Sequence, residues 1–336
     1  MLYIRTDMND VIATGHVMRC LSIADAASAL GEQTVFITAD ENPTELIKSR
    51  GYTSIVLHTK WNDMESEIEA LTSVIQECGT KQILIDSYQV TDKYLKAIKQ
   101  QAKVFYIDDV NAFLYPADGL ICYAAYCDEF QYEKHYTGRD IVLYTGTKYV
   151  PLRQVFCHMK PKSICTKAEN LLILSGGTDP YNFIANLLKN MNKSLYQHIY
   201  VICGKYYANY KELCKTYENE KNIHLYSGVA DIEKYMQLAD VAISAGGTTL
   251  YELCAVGTPT ITYSFADNQL KNVQKFSEMN VMDYAGDLRK DAVVENVLKY
   301  LTMLDADIEI RKKKAVQMQQ LVDGAGAERI AKLLMH

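Results

Sequence analysis

With 336 residues, about half of them apolar, the chain is long enough for two domains of roughly 150 to 170 residues, each with its own core. Its 35 basic and 41 acidic residues are interspersed, for a formal net charge of -6. This excludes the basic footprint of a nucleic-acid or anionic-membrane binder. No uncharged apolar run approaches the roughly 18 to 20 residues of a membrane span, and the nine cysteines, with no C-x-x-C pair, read as reduced core thiols, so a cytoplasmic protein without stable membrane insertion is expected.

From the N-terminus, β-rich runs alternate with helical patterns. Strands are predicted at 2–4, 34–38, 54–57, 82–86, 103–108 and 119–123, with helix-period segments at 16–30, 44–50, 63–78 and 92–101. That alternation implies βαβ units and a parallel sheet. Residues 150–170 lose the period in a stretch rich in Pro and Lys that reads as a linker. Beyond it the pattern resumes, with strands at 170–177, 198–204, 223–228, 240–247 and 259–264. The last segment, 308–334, is helical in period but broken by "DGAGAER" into two helices. The expectation is α/β: two Rossmann-like, doubly wound parallel-sheet domains over 1–155 and 168–336, facing a central cleft. The C-terminal helix has room to pack back on the first domain.

Three strand ends in the second half open into small residues: "SGGTDP" at 175–180, "ICGK" at 202–205 and "SAGGTTLYEL" at 244–253. Gly-Gly turns bring backbone N–H groups close to an anion, and a following helix N-terminus adds its dipole. Gly176, Gly177 and Asp179 in the first loop, and Gly246, Gly247 and Thr248 in the third, are therefore candidate phosphate contacts, although glycine also simply ends strands. Glu252 stands where a carboxylate can accept both ribose hydroxyls, or it is a solvated helix Glu. Asn268 and Gln269 start another helix and offer donors and acceptors, with Asp267 or Asn268 the alternative N-cap.

In the first half, "VIATGHVMRC" places Gly15 and His16 where a strand-end loop meets a helix. The macrodipole there disfavours an imidazolium, which makes His16 a neutral candidate base. Arg5, Asp7 and Arg19 bring polar groups to the same end, unless they only pair with one another.

No metal site is predicted. Asp108 and Asp109 are adjacent in a strand and point to opposite faces, Asp305 and Asp307 lie in a helical segment, and the histidines stand alone. The sequence contains no Walker A loop, no G-x-S-x-G elbow and no G-x-G-x-x-G fingerprint, so no cofactor is expected. Twenty-five tyrosines against eight phenylalanines have no role that the sequence alone assigns.

The segments "IRTDMNDVIATGHVMRCLSIA", "LIDSY", "SGGTDPYN" and "ADVAISAGGTTLYELCAVGTPTITYSFADNQLKN" resemble the PseG/SpsG family of UDP-sugar hydrolases. The family acts in pseudaminic acid and spore-coat or flagellin glycan biosynthesis and shares the GT-B architecture of MurG-like glycosyltransferases. The resemblance implies that His16 activates water for inverting attack on the anomeric carbon, with Tyr88 beside the sugar. It implies a diphosphate and ribose contact from Gly246, Gly247, Thr248 and Glu252, with Asn268 and Gln269 alongside. It also implies metal-independent chemistry, UDP-2,4-diacetamido-2,4,6-trideoxy-β-L-altrose as substrate and UDP as product; the oligomeric state is open, with a monomer favoured. Two departures from the family pattern are Ala13, where a glycine is usual, and "CYAAYCDEF" in place of an Asn-rich run. The competing readings are a MurG-like UDP-sugar transferase and a nucleotide-sugar binding protein without activity.

Overall fold

The structure, a computed structural model, describes residues 1–204 and 207–335. The chain divides into two compact units, Met1–Cys157 together with Gly324–His336, and His158–Asp323.

The first unit is built on β1 (Leu2–Thr6), β2 (Thr34–Thr38), β3 (Thr53–Val56), β4 (Gln82–Asp86), β5 (Lys103–Ile107), β6 (Gly119–Cys122) and β7 (Val142–Thr145). All seven are parallel, in the order β3-β2-β1-β4-β5-β6-β7. Ile4 pairs with Phe36 on one side and Leu84 on the other, and all three side chains are buried. Near-continuous burial along β1 and β4 is what a sheet covered on both faces requires, and it explains why these strands read as apolar runs. The helices are α1 (Gly15–Ala29), α2 (Thr44–Ser49), α3 (Ile68–Glu77), α4 (Asp92–Lys99) and α5 (Tyr132–His135). Gly31, at φ 86°, ends α1, with the backbone N–H groups of Leu30 and Gly31 returning to the last turn. Thr91 caps α4, its hydroxyl accepting from the Tyr94 N–H.

The second unit repeats the plan with β8 (Asn170–Leu174), α6 (Phe183–Asn190), β9 (His198–Cys203), α7 (Tyr210–Thr216), β10 (Ile223–Ser227), α8 (Ile232–Leu238), β11 (Val241–Ala245), α9 (Thr249–Val256), β12 (Thr260–Ser264), α10 (Asp267–Glu278), β13 (Asp283–Asp287), α11 (Val293–Ala306) and α12 (Ile308–Leu321). Six parallel strands run β10-β9-β8-β11-β12-β13. Asp307 separates α11 from α12 by capping the latter, accepting from the N–H groups of Glu309 and Ile310.

The last helix, α13 (Gly326–Leu333), belongs to the first unit and packs on α1. Gly324 and Gly326 make that return possible. A Cβ on either would collide with a backbone carbonyl, of Phe156 and Val150 respectively, and Gly324 also holds φ 75°.

Two strands escaped the sequence. β7 and β13 are both sheet edges, and β13 reads "DYAGD", poor in β-branched residues and paired along one side only, with a register shift against β12. The helix predicted over 63–78 opens instead as a 3-10 turn, Met64–Glu67, whose last carboxylate is drawn into the core. The nine cysteines are free thiols, with Cys20, Cys203 and Cys254 buried. Among the described residues no helix is long and apolar enough to cross a membrane.

Candidate active site

In each sheet the chain winds first to one side and then to the other. The reversal falls between β1 and β4 in the first unit and between β8 and β11 in the second. Loops at the carboxyl ends of those strand pairs separate there, and open α/β sheets bind ligands at that place.

In the first unit those loops carry His16, at the second position of α1, and Asp86, the last residue of β4. His16 Nδ1 lies 2.7 Å from Asp86 Oδ1. Arg19, one turn further along α1, also binds Asp86, through Nε to Oδ2 at 2.6 Å and through Nη2 to Oδ1. Its Nη1 reaches Asp109 Oδ2 at 2.9 Å and the Tyr123 hydroxyl at 2.6 Å. Asp86 is wholly buried. Burial pushes its carboxyl up, but the Arg19 guanidinium and His16 together hold it well below the usual range, so it is a carboxylate. A carboxylate facing Nδ1 orients the ring: Nδ1–H donates to Asp86, and Nε2 is the ring nitrogen turned away from it. Arg19 Nη2, 3.0 Å from Nδ1, is then a neighbouring donor on the same carboxylate oxygen. This carboxylate, and not the helix dipole alone, decides the orientation of the ring.

Tyr88 stands over His16, ring centroids 4.5 Å apart at 77°, and its hydroxyl donates to Asp109 Oδ2 at 3.1 Å. Desolvation and the Asp109 carboxylate push the Tyr88 phenol up, so it is protonated at neutral pH. Burial likewise raises Tyr123, to about 12. Arg19 lies between the carboxylates of Asp86 and Asp109 and pairs with both. Asp108 and Asp109 follow the end of β5 rather than lying in it, and Asp108 points elsewhere. It is buried and accepts from the hydroxyls of Tyr115 and Tyr132 and the N–H groups of Val110 and Asn111.

Arg5 and Asp7 are corrected. Arg5 has no exposed surface: Nε donates to Glu67 Oε1 at 2.7 Å, Nη2 to Glu67 Oε2 at 2.6 Å and Nη1 to Asp7 Oδ2 at 2.5 Å. Asp7 spends its other oxygen on the Ala39 N–H, and Tyr94 completes the group on Glu67. Burying a guanidinium demands this full set of partners, so Arg5 and Asp7 support the loop from below and do not face a ligand. Gly15 has open space around its Cα, and Ala13, two residues earlier, holds φ 55°.

In the second unit the "SGG" turn has Gly176 at φ 74°, and the Ser175 hydroxyl accepts from the Gly204 N–H at 3.0 Å while donating to the Gly176 carbonyl. Gly204 lies so close to the carbonyls of Gly176 and Gly177 that no Cβ fits. Lys205, which completes the second predicted loop, is outside the described residues. The two oxygens of Asp179 accept from the N–H groups of Phe183 and Ile184 at 2.8 and 2.9 Å, so this carboxylate is spent on the first turn of α6. Gly246 is a packing glycine, because a Cβ there would strike Val273 on α10. Gly247 has open space, Thr248 is exposed ahead of α9, and Glu252 stands in the first turn of that helix. Of the α10 residues, Asn268 is exposed, while Gln269 Oε1 accepts from the Phe265 N–H at 2.9 Å. Neither expected N-cap serves: Ala266 holds that position and Asp267 pairs with Arg289.

Reading the sequence alone missed Asp86, Asp109 and Tyr123. The signal for Asp86 was its place as the last residue of a central strand beside β1. The histidines do not all stand alone either, since His198 Nδ1 and His224 Nε2 lie 3.0 Å apart on β9 and β10.

Two doubly wound parallel-sheet domains in one chain define the GT-B class of fold, and this protein has it. Crystalline MurG of Acinetobacter baumannii superposes with a TM-score of 0.72 at 12% identity, covering 99% of this chain and 98% of that one. Residues 171–330 match the glycosyltransferase family 28 C-terminal domain. Over 268 residues the chain is 24% identical to an uncharacterized protein of Methanocaldococcus jannaschii, covering 76% of this chain and 54% of that one. Over 275 residues it is 26% identical to a Helicobacter pylori protein named pseudaminic acid cytidylyltransferase and UDP-2,4-diacetamido-2,4,6-trideoxy-beta-L-altropyranose hydrolase, covering 80% and 45%. The chain thus spans about half the length of each of these two. Over 282 residues it is 22% identical to the spore coat polysaccharide biosynthesis protein SpsG of Bacillus subtilis, covering 81% and 82%.

Proposed function

We propose that this protein hydrolyses a UDP-activated 2,4-diacetamido-2,4,6-trideoxyhexose in glycan biosynthesis, releasing UDP. The observation that carries the reading is the His16–Asp86 pair: a histidine whose Nδ1–H is committed to a buried carboxylate presents Nε2 as a base. Nε2 takes a proton from water as the water oxygen bonds to the anomeric carbon. The bond from that carbon to the β-phosphate oxygen breaks with its electron pair leaving on UDP, and the sugar inverts. The imidazolium formed is stabilised by Asp86. UDP is a good leaving group once its charge is met, and the backbone donors around Gly176, Gly177 and Gly247, with Thr248 and the N-terminus of α9, suit that role. Glu252 and Asn268 are assigned to the ribose and the sugar. The name of the Helicobacter relative supports the sugar class, and that of the Bacillus relative supports glycan biosynthesis.

Incubation with UDP-sugar alone tests the reading. Wild type is expected to release UDP without any acceptor, while His16→Ala and His16→Phe bind UDP as wild type does and lose about 10²- to 10⁴-fold in rate. Near wild-type hydrolysis by either variant sinks the assignment. The match to the family 28 C-terminal domain favours a second reading, transfer of the same sugar to an acceptor, for which UDP release requires that acceptor.

A further inference from the structure

Five side chains of the first unit close a ring: His16 to Asp86, Asp86 to Arg19, Arg19 to Asp109, Asp109 to the Tyr88 hydroxyl, and the Tyr88 ring back to the His16 ring in a T-shaped contact. Tyr88, 50% exposed, is the open member, whereas His16 is only 6% exposed beneath it. The Tyr88 side chain is tethered at its tip by one hydrogen bond, to Asp109.

Asp109 is the member whose hydrogen bonding is incomplete. Its Oδ2 accepts from Arg19 and Tyr88, while its Oδ1 is buried and has no partner. A desolvated carboxylate oxygen without a donor is unfavourable, and an ionised carboxylate has acceptor sites for about four donors. We propose that Asp109 is the residue that reads the sugar. On binding, an N–H or O–H donor of the sugar takes the carboxylate, and the Tyr88 hydroxyl, which occupies it in this structure, gives way. The exchange gives the sugar the place of the Tyr88 hydroxyl on the carboxylate and releases the Tyr88 ring from its tether beside His16. This rests on the UDP-sugar reading above and names the group that selects the sugar.

The test is equilibrium calorimetry with UDP-N-acetylglucosamine and with UDP as probes. In Asp109→Asn the two donors on Oδ2 hold the amide oxygen, turning its NH2 to where Oδ1 was, so an acceptor becomes a donor. Affinity for UDP-N-acetylglucosamine is expected to fall about tenfold or more, with affinity for UDP unchanged. Tyr88→Phe keeps the ring but removes the competing hydroxyl, so the sugar nucleotide is expected to bind about threefold more tightly, again with UDP unchanged. That exposed variant carries the test if Asp109→Asn fails to fold. The proposal is overturned if wild type binds both probes equally, if Asp109→Asn binds the sugar nucleotide as wild type does, or if Tyr88→Phe fails to bind it more tightly. A wild type that prefers the sugar nucleotide yet releases no UDP from UDP-2,4-diacetamido-2,4,6-trideoxy-β-L-altrose retires the hydrolase reading and leaves this one standing.

Discussion

Asp86 Oδ1 lies 2.7 Å from His16 Nδ1 although 70 residues separate the two in the chain. Their strands make the meeting inevitable: β1 and β4 are neighbours, Thr6 sits opposite Asp86, and the loop after β1 turns directly into the helix that carries His16. A parallel sheet with a reversal between these strands therefore builds the pair from its own topology.

Replacing Asp86 by Asn separates orientation from mere presence of the ring. The Nδ1–H loses its carboxylate, the ring is no longer oriented by it, and Arg19 keeps only Asp109 as a charged partner. Turnover is expected to fall about 10²- to 10⁴-fold with UDP affinity unchanged, measured by UDP release and calorimetry.

The same carboxylate predicts an acid limit. Asp86 titrates below its ordinary value in the folded chain, so the unfolded state binds more protons as pH drops. Its stabilisation is complete above the usual aspartate value near 4 and is lost as pH falls toward the depressed one. Urea midpoints of wild type should therefore decline below about pH 4, and Asp86→Asn should decline less over that interval. Parallel slopes for the two proteins would refute the linkage.

The glycines at 246 and 247 separate packing from ligand contact. Gly246→Ala forces a Cβ into Val273 and should cost about 1 to 3 kcal/mol, seen as a lowered urea midpoint. Gly247→Ala meets nothing in the unliganded chain, so stability should stay within about 0.5 kcal/mol while UDP affinity falls. Unchanged UDP affinity would remove Gly247 from the phosphate contact.

Ala13 carries backbone strain. At φ 55° an L-residue is disfavoured, so Ala13→Gly should stabilise the folded chain, by up to about 1 kcal/mol after the glycine's extra freedom in the unfolded state is offset. A lower thermal midpoint in Ala13→Gly would contradict this.

Arg5→Met tests the support beneath the loop. It leaves Glu67 and Asp7 buried without their cation, and a loss of about 3 to 5 kcal/mol is expected in denaturant unfolding.

The tyrosine excess acquires a physical account only in the folded chain. Tyr94 donates to Glu67, Tyr115 and Tyr132 to Asp108, Tyr88 to Asp109, Tyr52 to Asp25 and Tyr196 to Asp305. A phenol fills apolar space with its ring and satisfies a carboxylate with its tip, which phenylalanine cannot do. Each pair joins residues 7 to 109 positions apart, a distance across which no periodicity is legible.

By itself the sequence determined the βαβ alternation, the apolar central strands, the break before the last helix, and the loops where His16, Gly177 and Gly247 lie. These follow from local period and turn chemistry, which a short window contains. Only the tertiary structure decided that Arg5 and Asp7 belong to the core, that Asp179 is spent on the first turn of α6, that Gly246 is packing, and that Asp86 and Asp109 surround Arg19. Edge strands such as β13 were lost for a related reason, since they are held by one neighbour more than by their own residues. The residues flanking a polar group in the chain do not reveal which partner it will meet, because that partner is brought to it by strand order, and burial then leaves the group no alternative to water but that partner.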